Sequence, residues 1–316
     1  MIAFASNSLL CRLALKRTGI DAATFTFVRI FSGAAALWVI LQIRGRLMVD
    51  RTASPFVDRL EAAEQIPSPE LPSRRANPSF SLREKVRMRA LSTGTAGNWP
   101  SALALYIYAA AFSFAYNTLS AGTGALLLFG AVQATMIFWG VRQGERLDMI
   151  QIAGLIMALT GLVVLVFPGL SAPPLIGSIL MLSAGVAWGI YSLLGKTVRD
   201  AAAATAGNFL RAIPLAAVLS AILFPWARLD RVGIGYSMIS GAITSGLGYV
   251  IWYSALPGLR AASAATVQLS VPVLAAAGGI LLLGESLNGR FLLASVAVLG
   301  GIALVVLEKR ENPSHK

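Results

Sequence analysis

The chain has 316 residues, 56% of them hydrophobic and 13% charged, with a net charge of +12 and a pI near 10.5. The apolar residues fall in long runs instead of the short alternations of a soluble core, which places the chain in the membrane class and leaves little over for a soluble domain. One cysteine, Cys11, and one histidine, His315, leave no basis for an internal disulfide, a zinc or haem ligand set, or histidine acid–base chemistry, so no cofactor and no metal is expected.

A helix needs about 20 apolar residues to cross the hydrocarbon of a bilayer. Ten stretches are read as spans, at 1–15, 22–43, 99–117, 121–141, 149–168, 174–195, 203–224, 232–255, 261–283 and 288–307. The first is short, and "CRLALKRTG" offers no small-residue cleavage site after it, so it reads as a clipped or short span and not as a signal peptide. Between the second and third spans lies a polar, Pro-dotted insertion at about 45–97, holding ten of the 26 Lys and Arg from Arg44 to Arg89. It is expected to be cytoplasmic and largely disordered, with an amphipathic helix near "SLREKVRMRAL". Such a loop offers anionic lipid headgroups a surface. A pI this high in a soluble protein would point to nucleic acid; here membrane topology accounts for the charge, and no nucleic-acid partner is expected.

"GERLDMIQIAGLIMALTGLVVLV" (144–166) and "GESLNGRFLLASVAVLGGIALVVL" (284–307) read nearly alike. An offset of 140 pairs Gly144, Glu145, Leu147, Leu159 and Gly161 with Gly284, Glu285, Leu287, Leu299 and Gly301. Earlier in each half the offset is 182, where Phe27, Arg29, Ala34, Ala35 and Leu37 meet Phe209, Arg211, Ala216, Ala217 and Leu219. The drop of 42 residues equals an insertion between the second and third spans of the first half. Five spans in each half force the copies into opposite orientations, giving an all-α membrane protein of ten transmembrane helices in two inverted five-helix repeats. The repeats are 1–168 and 169–307, followed by a tail at 308–316. With both termini cytoplasmic, the inside segments hold 18 Lys and Arg and the outside loops five, the asymmetry that the positive-inside rule requires.

"YSALPGLRAASAATVQLSVPVLAAAGGILLLGESLNG" (253–289) resembles the second EamA repeat of the drug/metabolite transporter superfamily. "FSFAYNTLSAGTGALLLFGAVQATMIFWGVRQGERLD" (112–148) is its partner in the first half, and "WGIYSLLGKTV" from Trp188 looks like the aromatic-Gly opening of the second repeat. The resemblance covers all ten spans and lapses over the insertion and the clipped first helix. It implies a transporter in the inner membrane of a bacterium that moves small metabolites, often amino acids or related amphipathic compounds and frequently outward.

Glu145 and Glu285 each sit at a helix end before a polar turn and are read as caps or loop-fixing groups, leaving no carboxylate deep in a span for proton coupling. That favours a facilitator or exchanger. Arg29 and Arg211 lie inside spans, where an Arg costs at least ~2.5 kcal/mol; each either pins helices together or meets an anionic group of a substrate. Asn7, Gln133, Trp188, Tyr191 and Gln268 also lie deep, either bonding helix to helix or lining a cavity. Together with Arg29 and Arg211 they form the candidate substrate-binding set. Trp139 and Trp252 read as interfacial anchors. "GLIMA" (154–158) and "GAITS" (241–245) set small residues four apart for close helix packing, and Gly246, Gly248, Pro257 and Pro272 are candidate bending points. The reading favoured is a secondary transporter for a small-molecule substrate. An intramembrane enzyme is weakened by the lack of any hydrolase or zincin motif, and a scaffold that holds anionic lipids through the basic insertion is the remaining alternative. Substrate, direction, coupling ion and oligomeric state are left open.

Overall fold

A computed structural model describes residues 1–64, 96–144, 148–167, 172–258, 268, 270–286 and 288–311. Among them the chain forms ten helices. These are α1 (Ile2–Arg17), α2 (Ala22–Glu64), α3 (Trp99–Ala115), α4 (Ala121–Arg142), α5 (Met149–Val166), α6 (Leu175–Gly195), α7 (Ala201–Ile222), α8 (Arg231–Ala255), α9 (Ser270–Leu283) and α10 (Gly289–Glu311). No strand occurs among the described residues. Six helices are long and apolar enough to cross a membrane: α2 over Ala22–Gly45, α4, α5, α6, α7 and α8. Helix α3, α9 and the Gly289–Leu304 part of α10 are shorter apolar helices. Ile156, Val163, Leu281, Leu293 and Val296 all stand exposed. That is costly in water and natural in lipid, so this is a multi-pass membrane protein.

Short polar residues start the helices. Asn98 accepts from the Ser101 amide, Ser120 from Thr123, Asp200 from Ala203, Asp230 from Gly233 and Asn288 from Phe291. Asp148 and Gln151 close a reciprocal capping box on α5. The repeated Gly-Glu phrase also has a backbone reason. Gly144 (φ 89°) and Gly284 (φ 65°) are left-handed residues at the ends of α4 and α9, a conformation that only glycine adopts without cost.

Helix α6 packs between α3 and α4; α2 lies on α7 and α8; α1 contacts α8 and α9; and α5 pairs with α10. Small residues set these approaches, as their spacing suggests. A Cβ at Gly301 would strike the Gly154 carbonyl and Ala158, and one at Gly241 would strike the Arg29 carbonyl and Ser32 Oγ. Helix α8 is not regular throughout, since Ser240–Leu247 is wound as a π-helix. Such widened turns are frequent at functional sites.

Two outcomes concern the insertion. The backbone of α2 stays helical to Glu64, beyond the apolar stretch that ends at residue 43, because the sequence there keeps good helix formers such as Arg, Leu, Glu and Ala. The expected helix near "SLREKVRMRAL" lies outside the described residues, as does Glu145.

Candidate functional site

Arg29, two turns into α2, is 1% exposed. Its Nε donates to Ser245 Oγ (2.9 Å), and its Nη2 to the hydroxyls of Tyr249 (2.7 Å) and Tyr108 (3.2 Å). The rings of Tyr108 and Phe112 face the guanidinium at 5.2 and 5.0 Å. No acid pairs with it, and its Nη1 has no hydrogen-bond partner among the described residues. Asn7 of α1 extends the cluster: its Nδ2 donates to the Tyr108 hydroxyl (3.1 Å), and its Oδ1 accepts from Ser240 Oγ (2.6 Å) and Thr244 Oγ1 (3.1 Å). The π-helical stretch is what lets one helix present Ser240 and Thr244 to α1 and Ser245 to α2. Gly241, with no side chain, allows α2 to come that close.

Aromatic rings cover the other side. Trp188 of α6 lies 4.6 Å from Tyr249, 4.9 Å from Tyr108 and 5.4 Å from both Phe4 and Tyr191, and its Nε1 donates to Gln268 Oε1 at 3.4 Å. Tyr191 stacks on Tyr253, whose hydroxyl donates to the Tyr191 carbonyl. The structure therefore brings together Asn7, Arg29, Trp188, Tyr191 and Gln268. Two other candidates lie elsewhere. Gln133 lines an apolar crevice with Gly130, Leu155, Ala158 and Leu162, beside α5 and α10. Arg211 is only half-buried and donates from Nη1 to the Gly207 carbonyl one turn back on its own helix.

Trp252 departs from its expected interfacial place. It is 3% exposed, packs edge-on against Phe4 and donates to Ser192 Oγ, because α8 turns that face inward. Trp139, 49% exposed near the end of α4, keeps an anchor's position. Sequence reasoning missed Tyr108, Tyr249, Ser240, Thr244 and Ser245 as site members. Neither tyrosine nor Ser240 was singled out there, and Thr244 and Ser245 were read as part of a packing stretch.

Ion pairs stand at two further places. Arg12 Nε meets Glu285 Oε1 at 3.1 Å, with side chains 12% and 8% exposed. Glu285 Oε2 also accepts from the Ala121 amide at the start of α4, and Arg12 Nη1 donates to the carbonyls of Tyr116 and Asn117. Glu285 is thus a loop-fixing cap, as its sequence position suggests. The second pair, Arg44 with Asp200 at 3.1 Å, is open to solvent. Between α1 and α2, Asp21 caps α2 through the amides of Ala23 and Thr24 and accepts from the Arg228 amide. Partial burial pushes its carboxyl up, but the bonds from the Thr24 hydroxyl and these amides outweigh that and hold it below the usual carboxylate range.

The family model described as the EamA-like transporter family matches residues 175–307. An uncharacterized protein of Pseudomonas aeruginosa is 50% identical over 306 residues, covering 97% of this chain and 91% of its own. The chain belongs to the EamA-like transporter family. As an EamA protein of the drug/metabolite transporter superfamily, it is a membrane transporter. It is also 28% identical to a probable amino-acid metabolite efflux pump of Salmonella typhimurium (60% of this chain, 68% of that one). The threonine/homoserine exporter RhtA of the same organism is likewise 28% identical (65% and 69%). A solved crystal structure shares the fold at a TM-score of 0.60 and 16% identity, over 98% of each chain.

Proposed function

We propose that this EamA protein is a secondary transporter, a facilitator or exporter, that moves small metabolites such as amino acids by alternating access. Its repeats are residues 1–168 and 169–307, set in the inner membrane of a bacterium with both termini cytoplasmic. The observation that carries this reading is the buried cluster around Arg29. Helices α1, α2 and α3 supply Asn7, Arg29 and Tyr108, while α6 and α8 supply Trp188, Ser245 and Tyr249. A site built jointly by two repeats is the arrangement that rocking one against the other would expose to each side in turn. The packing supports the repeats. Helix α3 lies on α6 as α8 lies on α1, α4 on α6 as α9 on α1, and α3 on α7 as α8 on α2, while α2–α7 and α5–α10 pair across. The names of the similar proteins, an amino-acid metabolite efflux pump and a threonine/homoserine exporter, support the substrate class.

The test is counterflow in proteoliposomes against a panel of amino acids, amines, nucleosides and organic acids. Saturable, protein-dependent exchange of at least one compound is expected. Uptake no faster than in protein-free vesicles for every compound would overturn the reading.

A further inference from the structure

The hydrogens of the Arg29 cluster outnumber their acceptors. A guanidinium carries five N–H groups and no acceptor. One on Nε goes to Ser245 and two on Nη2 go to Tyr108 and Tyr249, which leaves the two on Nη1. The two phenols add to the surplus. They lie 3.2 Å apart, and whichever donates to the other, one phenolic proton is left over, because Asn7 and Arg29 reach these oxygens as donors. The cluster is therefore rich in donors and poor in acceptors, and it carries one buried positive charge with no counter-charge among the described residues. A buried, uncompensated charge of this kind costs several kcal/mol.

We infer that Arg29, with the Tyr108–Tyr249 hydroxyls, is the carboxylate-recognition point of this transporter, so that its substrates are small monocarboxylates, amino acids among them, and not amines. This rests on the transport reading above and names the substrate class of the same site. A carboxylate is an acceptor-only, singly charged group that matches a planar N–H pair in geometry and neutralises one cation. A neutral sugar or nucleoside would satisfy the hydrogens and leave the charge. A dianion would exchange one buried excess charge for another. An amine would place a second cation beside Arg29 where no described acid compensates it, a repulsion that low dielectric magnifies. The rest of the substrate meets Trp188 and Phe4, which suit an apolar or aromatic body; an amino acid, unlike an amine, brings the carboxylate that cancels the Arg29 charge, so its ammonium meets no net repulsion and rests against the ring faces.

The experiment measures binding to the purified full chain in detergent by thermal unfolding and tryptophan fluorescence, with no transport step. Two triads of probes vary one group at a time: 3-phenylpropionate, phenylalanine and 2-phenylethylamine; isocaproate, leucine and isoamylamine. The acid and the amino acid of at least one triad should raise the unfolding temperature and change the fluorescence, and the amines should do neither. Arg29→Gln should weaken acid binding about tenfold or more, and Arg29→Lys should weaken it measurably at unchanged yield, because the fork is lost although the charge stays. Arg211→Gln should leave the Kd where it was. Amines that bind as well as acids, acids that bind both Arg29 variants with the wild-type Kd, or no response to any carboxylate would each overturn the inference. If the Arg29 variants fail to fold, the acid–amine contrast in the wild-type protein decides by itself. Counterflow of an amine alone would keep the transport reading and remove this one; carboxylate binding without flux would do the reverse.

Discussion

Arg29 and Arg211 hold matching places in the sequence, 182 residues apart, about two turns into α2 and nearly three into α7, yet they have unlike surroundings. Arg29 is enclosed by hydroxyls and rings contributed by other helices; Arg211 is half-buried and bonded back to the Gly207 carbonyl of its own. Matching places in the sequence therefore do not bring matching surroundings. What separates the two is their partners: the helix that faces Arg29 is the one with the π-wound, hydroxyl-bearing stretch. Of two residues that look interchangeable in sequence, one is built into a polar centre and the other is placed to tie its helix together.

The sharpest way to break this contrast is transport by matched variants. Arg29→Gln should lower the counterflow rate roughly 100-fold, the worth of two charge-assisted hydrogen bonds at the low end of their range. Arg211→Gln should stay within about threefold, since its half-buried side chain lies outside the Arg29 cluster. Equal losses in both, at equal yield, would restore the symmetric reading.

A second contrast concerns the ion pairs. Arg12→Ala leaves Glu285 buried and unpaired, and should lower unfolding stability by about 3 kcal/mol. Arg44→Ala breaks a solvent-open pair and should cost under about 1 kcal/mol, both read by thermal unfolding in the same detergent. Because Glu285 is held as a cap and ion-pair partner, an imposed proton gradient should change flux of a neutral or zwitterionic substrate little. Steep acceleration that Glu285→Gln abolishes would make it the coupling group instead.

The two tryptophans give a smaller effect. Trp252→Phe removes the hydrogen bond to Ser192 and should cost about 1 kcal/mol, whereas Trp139→Phe at its exposed position should stay within about 0.5 kcal/mol.

The smallest effect belongs to Asp21, which joins the start of the Arg29 helix to the Arg228 amide beyond the end of the Arg211 helix. Its folded pKa lies below the unfolded value of about 3.9. Its contribution is therefore complete above that value and fades as pH falls through the folded one. Acid titration of thermal stability should show a shallow decline below about pH 4 that Asp21→Asn flattens.

Much of the architecture was legible because membrane helices announce themselves by length and composition, and because each loop writes its own capping residue. Gly284 is one such case, a left-handed residue that the sequence marks with glycine. The site was legible only by depth. Asn7, Arg29, Trp188, Tyr191 and Gln268 stood out as polar or aromatic residues in mid-span, and they converge. Gln133 and Arg211 stood out for the same reason and do not, since depth along a helix says nothing about which side of it faces the centre. Trp252 was misjudged on the same ground. Thr244 and Ser245 were invisible because "GAITS" reads as a packing stretch, and Ser240 just before it was not singled out, although their hydroxyls face two different neighbours.

That widened turn separates the two ends of α8, one held by Asn7 at Ser240 and the other on Arg29 through Tyr249. A π-helix differs from an α-helix by one residue of hydrogen-bond register, and one residue of an α-helix is about 100° of rotation. Were Ser240–Leu247 to tighten by that single step, the Tyr249 end of α8 would turn by about that angle relative to its Asp230 end, and Tyr249 would swing off the guanidinium while Asn7 kept hold of Ser240. The backbone would lose no hydrogen bond in the exchange. The contact with Arg29 would then part by a rotation of one end of α8 of about a quarter turn, with no unfolding of the helix.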